Sequence, residues 1–470
     1  MSARKKRPRG RTAPEPATVP AGLPDDRRHL IGASLVLLLG IWLNTGTLAP
    51  YAATLSHPMV WSRCNYLLNI DHNHFKATFN LLQGLPRDQW EYSVVLRRLL
   101  YPAAAYPFMK LLGFEIGGIV ANAVFAVGSL ILFWRALQRR LGGRAPRAML
   151  WLLATWPGWV YWAGLPYSYA AIVPLSLLSL ILLWRVEALA TWRRALLHGL
   201  ALGVLFTGYD LIAFFGAAGI LLLLSRRLWL PAGVFTAAIL LPQTALALAL
   251  QALRQIPIRN ANTAAYSAIV SSYLSTGRLN GDGLRAWGRL LRMLPGVILD
   301  NFLYSSFLFL PLLFLAGFLL SRRLPPGERY TPPAEACLLA AAALVFLFNN
   351  LAPPYEGWQL RGSWVARLYQ PAGVAMIACL AGLYARADLL PRPLRRTAWA
   401  ALAVALAADA WIVFAPVLGS TALTQFVYHR FYRHDRETAY SETLAWYGAR
   451  PLGFCREEIP APPSAATVSP

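Results

Sequence analysis

Acidic side chains are scarce in this chain: 21 Asp and Glu stand against 44 Lys and Arg over 470 residues, and charged residues together make up only 14%. With 57% of the residues hydrophobic, that shortage of charge excludes an ordinary water-soluble enzyme. Nucleotide-binding loops are missing as well. There is no P-loop and no dinucleotide fingerprint, and the Gly-containing run Arg140 to Arg144 falls in a short basic turn. No internal repeat is visible, which argues against a secondary transporter built from duplicated halves. Cysteine is limited to four residues.

What is present in quantity is apolar sequence. Runs long enough to cross a hydrocarbon layer of roughly 30 Å recur along most of the chain, which marks an all-α polytopic membrane protein. The net charge of +23 would suggest nucleic acid in a soluble protein. Here Lys and Arg cluster between the apolar runs, so the charge reads as topology and nucleic acid is not an expected partner. Residues 1–29 read as a disordered basic cytoplasmic tail, and the run from Leu30 as a retained first helix rather than a cleaved signal. Further spans are expected near residues 116–134, 148–165, 170–184, 195–207, 211–224, 230–252, 302–320, 337–348, 368–384 and 398–416. That makes about eleven transmembrane helices within a domain of residues 30–416, with outer loops at 50–107, 253–300 and 351–367 and an outer tail at 417–470. Each basic cluster then falls on one side, with the N-terminus cytoplasmic and the C-terminus outside. Amphipathic patterns around Tyr92 to Leu100 and Leu284 to Leu294 predict interfacial helices in the outer loops.

The polar run Arg63-Cys64-Asn65-Tyr66-Leu67-Leu68-Asn69-Ile70-Asp71-His72-Asn73-His74-Phe75 follows the first apolar segment directly. A carboxylate beside two imidazoles at the mouth of a membrane protein suits proton transfer or phosphate chemistry, because His titrates near neutrality and a desolvated Asp is tuned toward it. A solvated loop is the plainer reading. Topology gathers further polar residues on the same side: Arg97, Arg98, Tyr209, Asp210, Glu356, Arg361 and Arg367. Asp210 lies between two apolar runs joined by almost no loop, where a carboxylate is costly and commonly functional. Arg361 and Arg367 stand on the side the positive-inside rule disfavours. Their guanidinium groups fork onto phosphate oxygens, and Trp358, Trp364 and Tyr369 beside them suit a sugar face or a lipid chain; ordinary headgroups and an interfacial aromatic belt are the alternative.

A short tail and first helix, a long outer loop with an acid soon after it, interfacial helices, and many spans with Arg in later outer loops resemble the GT-C class of integral-membrane glycosyltransferases. The resemblance is architectural over most of the chain. It implies a polyprenyl-phosphate-linked sugar as donor, Asp71 as the catalytic base of the first outer loop, and Arg361 and Arg367, with Arg97 and Arg98, as phosphate-holding groups. The acidic pair familiar in that class is absent, since His72 follows Asp71. An acceptor hydroxyl would lose its proton to Asp71, with His72 or His74 as second candidate, while cationic groups take the charge on the departing lipid phosphate.

A divalent metal held by Asp71, His72 and His74 is sterically awkward unless the segment is extended or other loops contribute ligands, for instance Glu356 or Asp210. Cys337 and Cys379 fall within apolar spans. Cys64 and Cys455 fall outside and are candidates for a disulfide if they meet. The Ala/Leu/Arg-rich composition, without an organelle-targeting signal, points to a bacterial inner membrane with a periplasmic active face. An O-antigen polymerase or ligase is the nearest rival function, and a non-catalytic membrane assembly factor is a third.

Overall fold

Backbone groups in lipid must be satisfied within the segment, so apolar runs of this kind fold as helices, and proline and glycine decide where they stop. A computed structural model of the chain describes residues 24–43, 70–86, 98–164, 168–187, 191–252, 310–325, 328–329, 333–351 and 370–418. Among these residues there are helices and turns and no strand. The helices are α1 (Pro24–Leu43), α2 (Ile70–Leu82), α3 (Leu100–Leu112), α4 (Phe114–Leu141), α5 (Ala145–Thr155), α6 (Pro157–Ala163), α7 (Ile172–Val186), α8 (Trp192–Phe206), α9 (Ala213–Ser225), α10 (Trp229–Ala252), α11 (Leu310–Ser321), α12 (Pro333–Leu351), α13 (Gln370–Tyr384) and α14 (Arg392–Leu418).

Several boundaries depart from the sequence expectation. Helix α1 begins at Pro24, ahead of the apolar run, because Arg147 Nε donates to Asp26 Oδ1 at 2.6 Å and Trp151 Nε1 donates to His29 Nδ1 at 3.1 Å, tying its polar first turns to α5. The span expected at 148–165 is two helices. Trp156 is extended at φ −66 and ψ 114, as a residue before proline prefers, and Pro157 opens α6. The polar run around Asp71 is not a loop throughout, since α2 starts at Ile70. Pro107, expected to end the first outer loop, lies inside α3. Gly113, at φ 82, makes the turn from α3 to α4 that a residue with a Cβ would strain. Most of the interfacial helix expected over 92–100 and all of that over 284–294 lie outside the described residues, as do residues 302–309 of the eighth span.

Contacts between distant residues define two ends of the bundle. At one, Arg140 at the close of α4 meets Glu187 after α7, Glu187 Oε1 accepts the Ala334 N–H of α12 at 3.2 Å, Arg226 after α9 donates to the Glu187 carbonyl, and Asp26 meets Arg147. Arg139, Arg144, Arg193, Arg194 and Arg227 flank the same helix ends, so this is the basic end. At the other, the Leu100 N–H donates to the Thr207 carbonyl at 3.3 Å and Tyr169 packs on Tyr209. The chain passes between the two ends through α1, α4, α5 with α6, and then each helix from α7 to α14.

The bundle has a dry interior and an apolar exterior. Helix α13 is buried along nearly its whole length and packs against α5, α7, α11 and α12. In the apolar stretch 169–186, 78% of the residues are buried, whereas in an 18-residue apolar stretch of α10 the share is 17%. Its Leu240, Leu241 and Leu248 point outward, as do Leu197 of α8 and Leu312, Leu315 and Leu319 of α11. Leucine rows on the outside of a helical bundle belong in lipid. Among the described residues three helices, 116–141, 169–186 and 229–252, are long and apolar enough to cross a membrane alone, and shorter apolar helices accompany them. Helix α8 lies directly on α10, because a Cβ on Gly199 would stand 2.7 Å from Ala238 Cβ and one on Gly203 2.6 Å from the Ile239 carbonyl.

Candidate functional site

The far end, opposite the basic one, holds a compact polar cluster in an aromatic setting. After α8 the chain turns through Thr207 and Gly208, and Tyr209 and Asp210 open a single 3-10 turn into α9. Gly208 has little room: a Cβ there would stand 2.7 Å from Leu175 Cδ1. The Leu100–Thr207 backbone bond brings the residues preceding α3 to this turn. Arg98 then donates to Asp210 Oδ2 through Nε at 3.1 Å and Nη2 at 2.8 Å. Its guanidinium also lies 4.1 Å from the centre of the Tyr209 ring. The Arg98 side chain is 14% exposed and that of Asp210 33%, so the pair is largely desolvated but opens outward on its acidic side.

Around this pair the rings form a continuous wall. Tyr209 meets Tyr169 edge-on at 5.9 Å, and Tyr169 meets Trp162 at 5.2 Å. Helix α2 packs against the turn that carries Tyr169. It is held by Phe75, 5.9 Å from Tyr101 and 5.8 Å from Phe114, and by Phe79, 5.7 Å from Tyr106 and 5.5 Å from Phe114. Lys76 Nζ stands 4.9 Å over Phe79 and 4.6 Å over Phe114. Tyr101 donates its hydroxyl to Asn122 Oδ1, and Asn122 Nδ2 donates to the Ala163 carbonyl at 3.0 Å, which fastens α3 to α4 and α6. Burial pushes the Tyr101 phenol pKa up, so this link stays protonated.

Of the residues singled out in the sequence, Arg98, Tyr209 and Asp210 are brought together. Asp71, His72 and His74 lie on the first turns of α2, and their side chains lie outside the described residues. On a helix the neighbours 71 and 72 diverge by about 100°, while 71 and 74 share a face. Arg97, Glu356, Trp358, Arg361, Trp364, Arg367, Tyr369, Cys64 and Cys455 lie outside the described residues. Cys337 and Cys379 are free thiols on α12 and α13, as their apolar surroundings imply.

Sequence reasoning missed three buried polar groups. Glu335 is fully buried at the start of α12, where Trp184 Nε1 donates to Oε1 and Arg140 lies 3.9 Å from Oε2. Asp409 is fully buried in α14, and among the described residues neither of its oxygens has a hydrogen-bond partner. Gln370, the first residue of α13, donates Nε2 to the Gly158 carbonyl in the first turn of α6, at 2.5 Å. The available signal was the rarity of acids: Asp409 and Glu335 interrupt Ala-rich apolar runs, where a carboxylate demands an explanation.

An all-α bundle with lipid-facing leucines, a basic end and a polar far end defines a multi-pass membrane protein. No protein-family model matches the sequence, and no curated protein does. Among solved structures, the chain is similar to ArnT from Cupriavidus metallidurans bound to undecaprenyl phosphate, with 13% identity and a TM-score of 0.45, over 92% of this chain and 78% of that one. It is also similar to the arabinosyltransferase EmbB from Mycobacterium smegmatis, with 13% identity and a TM-score of 0.41, over 93% of this chain and 42% of that one.

Proposed function

We propose that the protein is a membrane glycosyltransferase that moves a sugar from a polyprenyl-phosphate donor to an acceptor at the far end of the bundle. The observation that carries this reading is the Arg98–Asp210 pair on the Tyr209 ring, at the end of the bundle opposite the basic one. A guanidinium held in plane by one carboxylate oxygen and an aromatic face is oriented before any ligand arrives. Such preorganised positive charge is what a departing lipid phosphate requires. Tyr209, Tyr169 and Trp162 are buried behind the pair and hold rigid the turn that carries it. ArnT holds undecaprenyl phosphate in its structure, and the donor proposed here is of that chemical class.

In this scheme Asp71 takes the proton of the attacking acceptor hydroxyl as the bond to the anomeric carbon forms. The bond between that carbon and the phosphate oxygen breaks, and the released phosphate takes up the negative charge beside Arg98, with Arg97, Arg361 and Arg367 as further cationic partners. Asp210 is a positioning residue, which acts by aiming Arg98. Because the Arg-rich end follows the positive-inside rule, the far end faces the periplasm of a bacterial inner membrane, with the N-terminus cytoplasmic and the C-terminus periplasmic. The direct test is turnover by the purified full chain in lipid nanodiscs, supplied with polyprenyl-phosphate sugars and membrane-glycan acceptors. Transfer that needs the lipid-phosphate donor is expected. Release or exchange of intact lipid-linked oligomers without sugar transfer would instead identify a polymerase or ligase.

A further inference from the structure

The basic end gathers two carboxylates around the Arg140 guanidinium, which hydrogen-bonds only one of them. Arg140 forks onto Glu187, with Nη1 2.8 Å from Oε2 and Nη2 3.2 Å from Oε1. From Glu335 it stands at 3.9 Å, Nη2 to Oε2, beyond hydrogen-bond reach. Glu335 is nevertheless the more deeply placed acid, since its side chain is fully buried while that of Glu187 is 16% exposed. Trp184 Nε1 donates to Glu335 Oε1, and Oε2 has no hydrogen-bond partner among the described residues.

Glu335 is the third residue of α12, ahead of the span expected from residue 337. The N–H of its neighbour Ala334 donates to Glu187 Oε1 at 3.2 Å, which sets the first turn of α12 against Glu187 and brings Glu335 into the cluster as a second acid. Among the described residues, the titratable and charged groups around Glu335 are Arg140 of α4, Glu187 after α7, Arg226 after α9, and the thiols of Cys337 on its own helix and Cys379 on α13. Arg226 donates to the Glu187 backbone carbonyl, and the thiols bring no cation. A second full negative charge in this dry setting shares its nearest cation with Glu187. Burial pushes the Glu335 carboxyl pKa up, and the Arg140 guanidinium draws it part of the way back. The folded bundle therefore holds this proton more tightly than the unfolded chain does. Its contribution to stability is full below the ordinary carboxylate range and is lost as pH rises from that range toward the raised value.

We propose that Glu335 is the proton-binding site of a pH-sensitive clasp at the basic end. With the proton in place, α12 is held against α4 and α7 through Ala334 and Trp184; loss of the proton sets two carboxylates against each other across Arg140 and loosens α12. The clasp answers to acidity on the side that the basic end faces, independently of the sugar chemistry at the far end.

The test compares the full chain in detergent with Glu335→Gln, a neutral side chain of the same shape, by chemical unfolding over a pH series. The unfolding constant of the wild type divided by that of Glu335→Gln should rise with pH by up to about tenfold per pH unit, the limit for one proton released on unfolding. Glu187→Gln leaves Arg140 to Glu335 and should flatten that rise. Hydrogen exchange over residues 333–344 should be faster in the wild type than in Glu335→Gln on the alkaline side and equal on the acid side. Infrared spectra near neutral pH should show the carbonyl stretch of a protonated carboxyl in the wild type that Glu335→Gln lacks, and Trp184→Phe, which removes the N–H on Oε1 and keeps a ring, should shift it. An unfolding ratio that does not change with pH, equal exchange at both pH extremes, or no protonated carboxyl in the difference spectrum would overturn the proposal and leave Glu335 as an ionised partner of Arg140. If Glu335→Gln does not fold, Trp184→Phe decides: a shifted band supports the clasp and an unmoved one overturns it.

Discussion

Each end of the bundle carries an arginine paired with a carboxylate over an aromatic ring, yet the two arrangements are built for different work. At the basic end, Arg140 gives one nitrogen to each oxygen of Glu187, at 2.8 and 3.2 Å, and lies 5.2 Å from the Trp184 ring. Glu187 in turn accepts the Ala334 N–H, and Trp184 donates to the buried Glu335. Helices α4, α7 and α12 are thereby closed around one guanidinium, with α9 joined through Arg226. At the far end, Arg98 donates twice to a single oxygen of Asp210, and that acid is a third exposed. The first arrangement is closed in by surrounding helices. The second lies on a turn and opens outward on its acidic side. The same chemical pair therefore serves as a helix lock in one place and as an oriented charge in the other.

Substitutions can separate these roles. The largest effect on stability is expected from Arg140→Ala, which leaves Glu335 and Glu187 without their cation. Removing one partner of a buried pair costs about 3–5 kcal/mol, and chemical unfolding in detergent should register that loss. A Glu187→Gln, Glu335→Gln background should relieve most of it, and an undiminished loss there would remove the charge argument for the lock.

Arg98→Ala should act in the opposite sense. Its pair is partly solvated, so unfolding should shift by about 1 kcal/mol or less. Donor binding should weaken on the order of tenfold or more, the value of one charge-assisted hydrogen bond. Lysine at this position should restore only part of the binding, because it cannot hold Asp210 and a phosphate in one plane. A large stability loss with unchanged donor affinity would make the far-end pair a second lock.

The smallest effect belongs to the ring. Tyr209→Phe keeps the face under Arg98 and should bind donor nearly as the wild type does. Tyr209→Leu forfeits the cation–π contact, about 0.5–2 kcal/mol, and should raise the donor Kd by a few-fold. Equal behaviour of the two variants, measured by donor titration, would show that the ring acts only by filling space.

The sequence was most legible where the membrane imposes its rules. Apolar runs and the basic clusters between them gave the passes and put the arginines on one end, because both follow from the cost of burying charge in hydrocarbon. The partnership of Arg98 and Asp210 was half legible. Both residues could be assigned to one face, but they stand 112 positions apart, and their contact depends on the Leu100–Thr207 backbone bond, which leaves no mark in composition. The break at Trp156-Pro157 was written in the proline itself, yet the run of apolar residues across it masked the signal. Asp409 and Glu335 went unnoticed because a single acid in a long Ala-rich stretch barely changes its average, although its burial dominates the local energetics.

The central claim is that the far end performs sugar transfer with Asp71 as the base. The most direct measurement is the transfer rate of Asp71→Asn at saturating lipid-phosphate sugar, normalised to correctly folded protein, beside wild type and Arg140→Gln. The account predicts that Asp71→Asn folds and binds donor normally but turns over on the order of a hundredfold or more slowly, while Arg140→Gln loses stability and retains its rate per folded molecule. Near-wild-type turnover in Asp71→Asn would contradict the assignment.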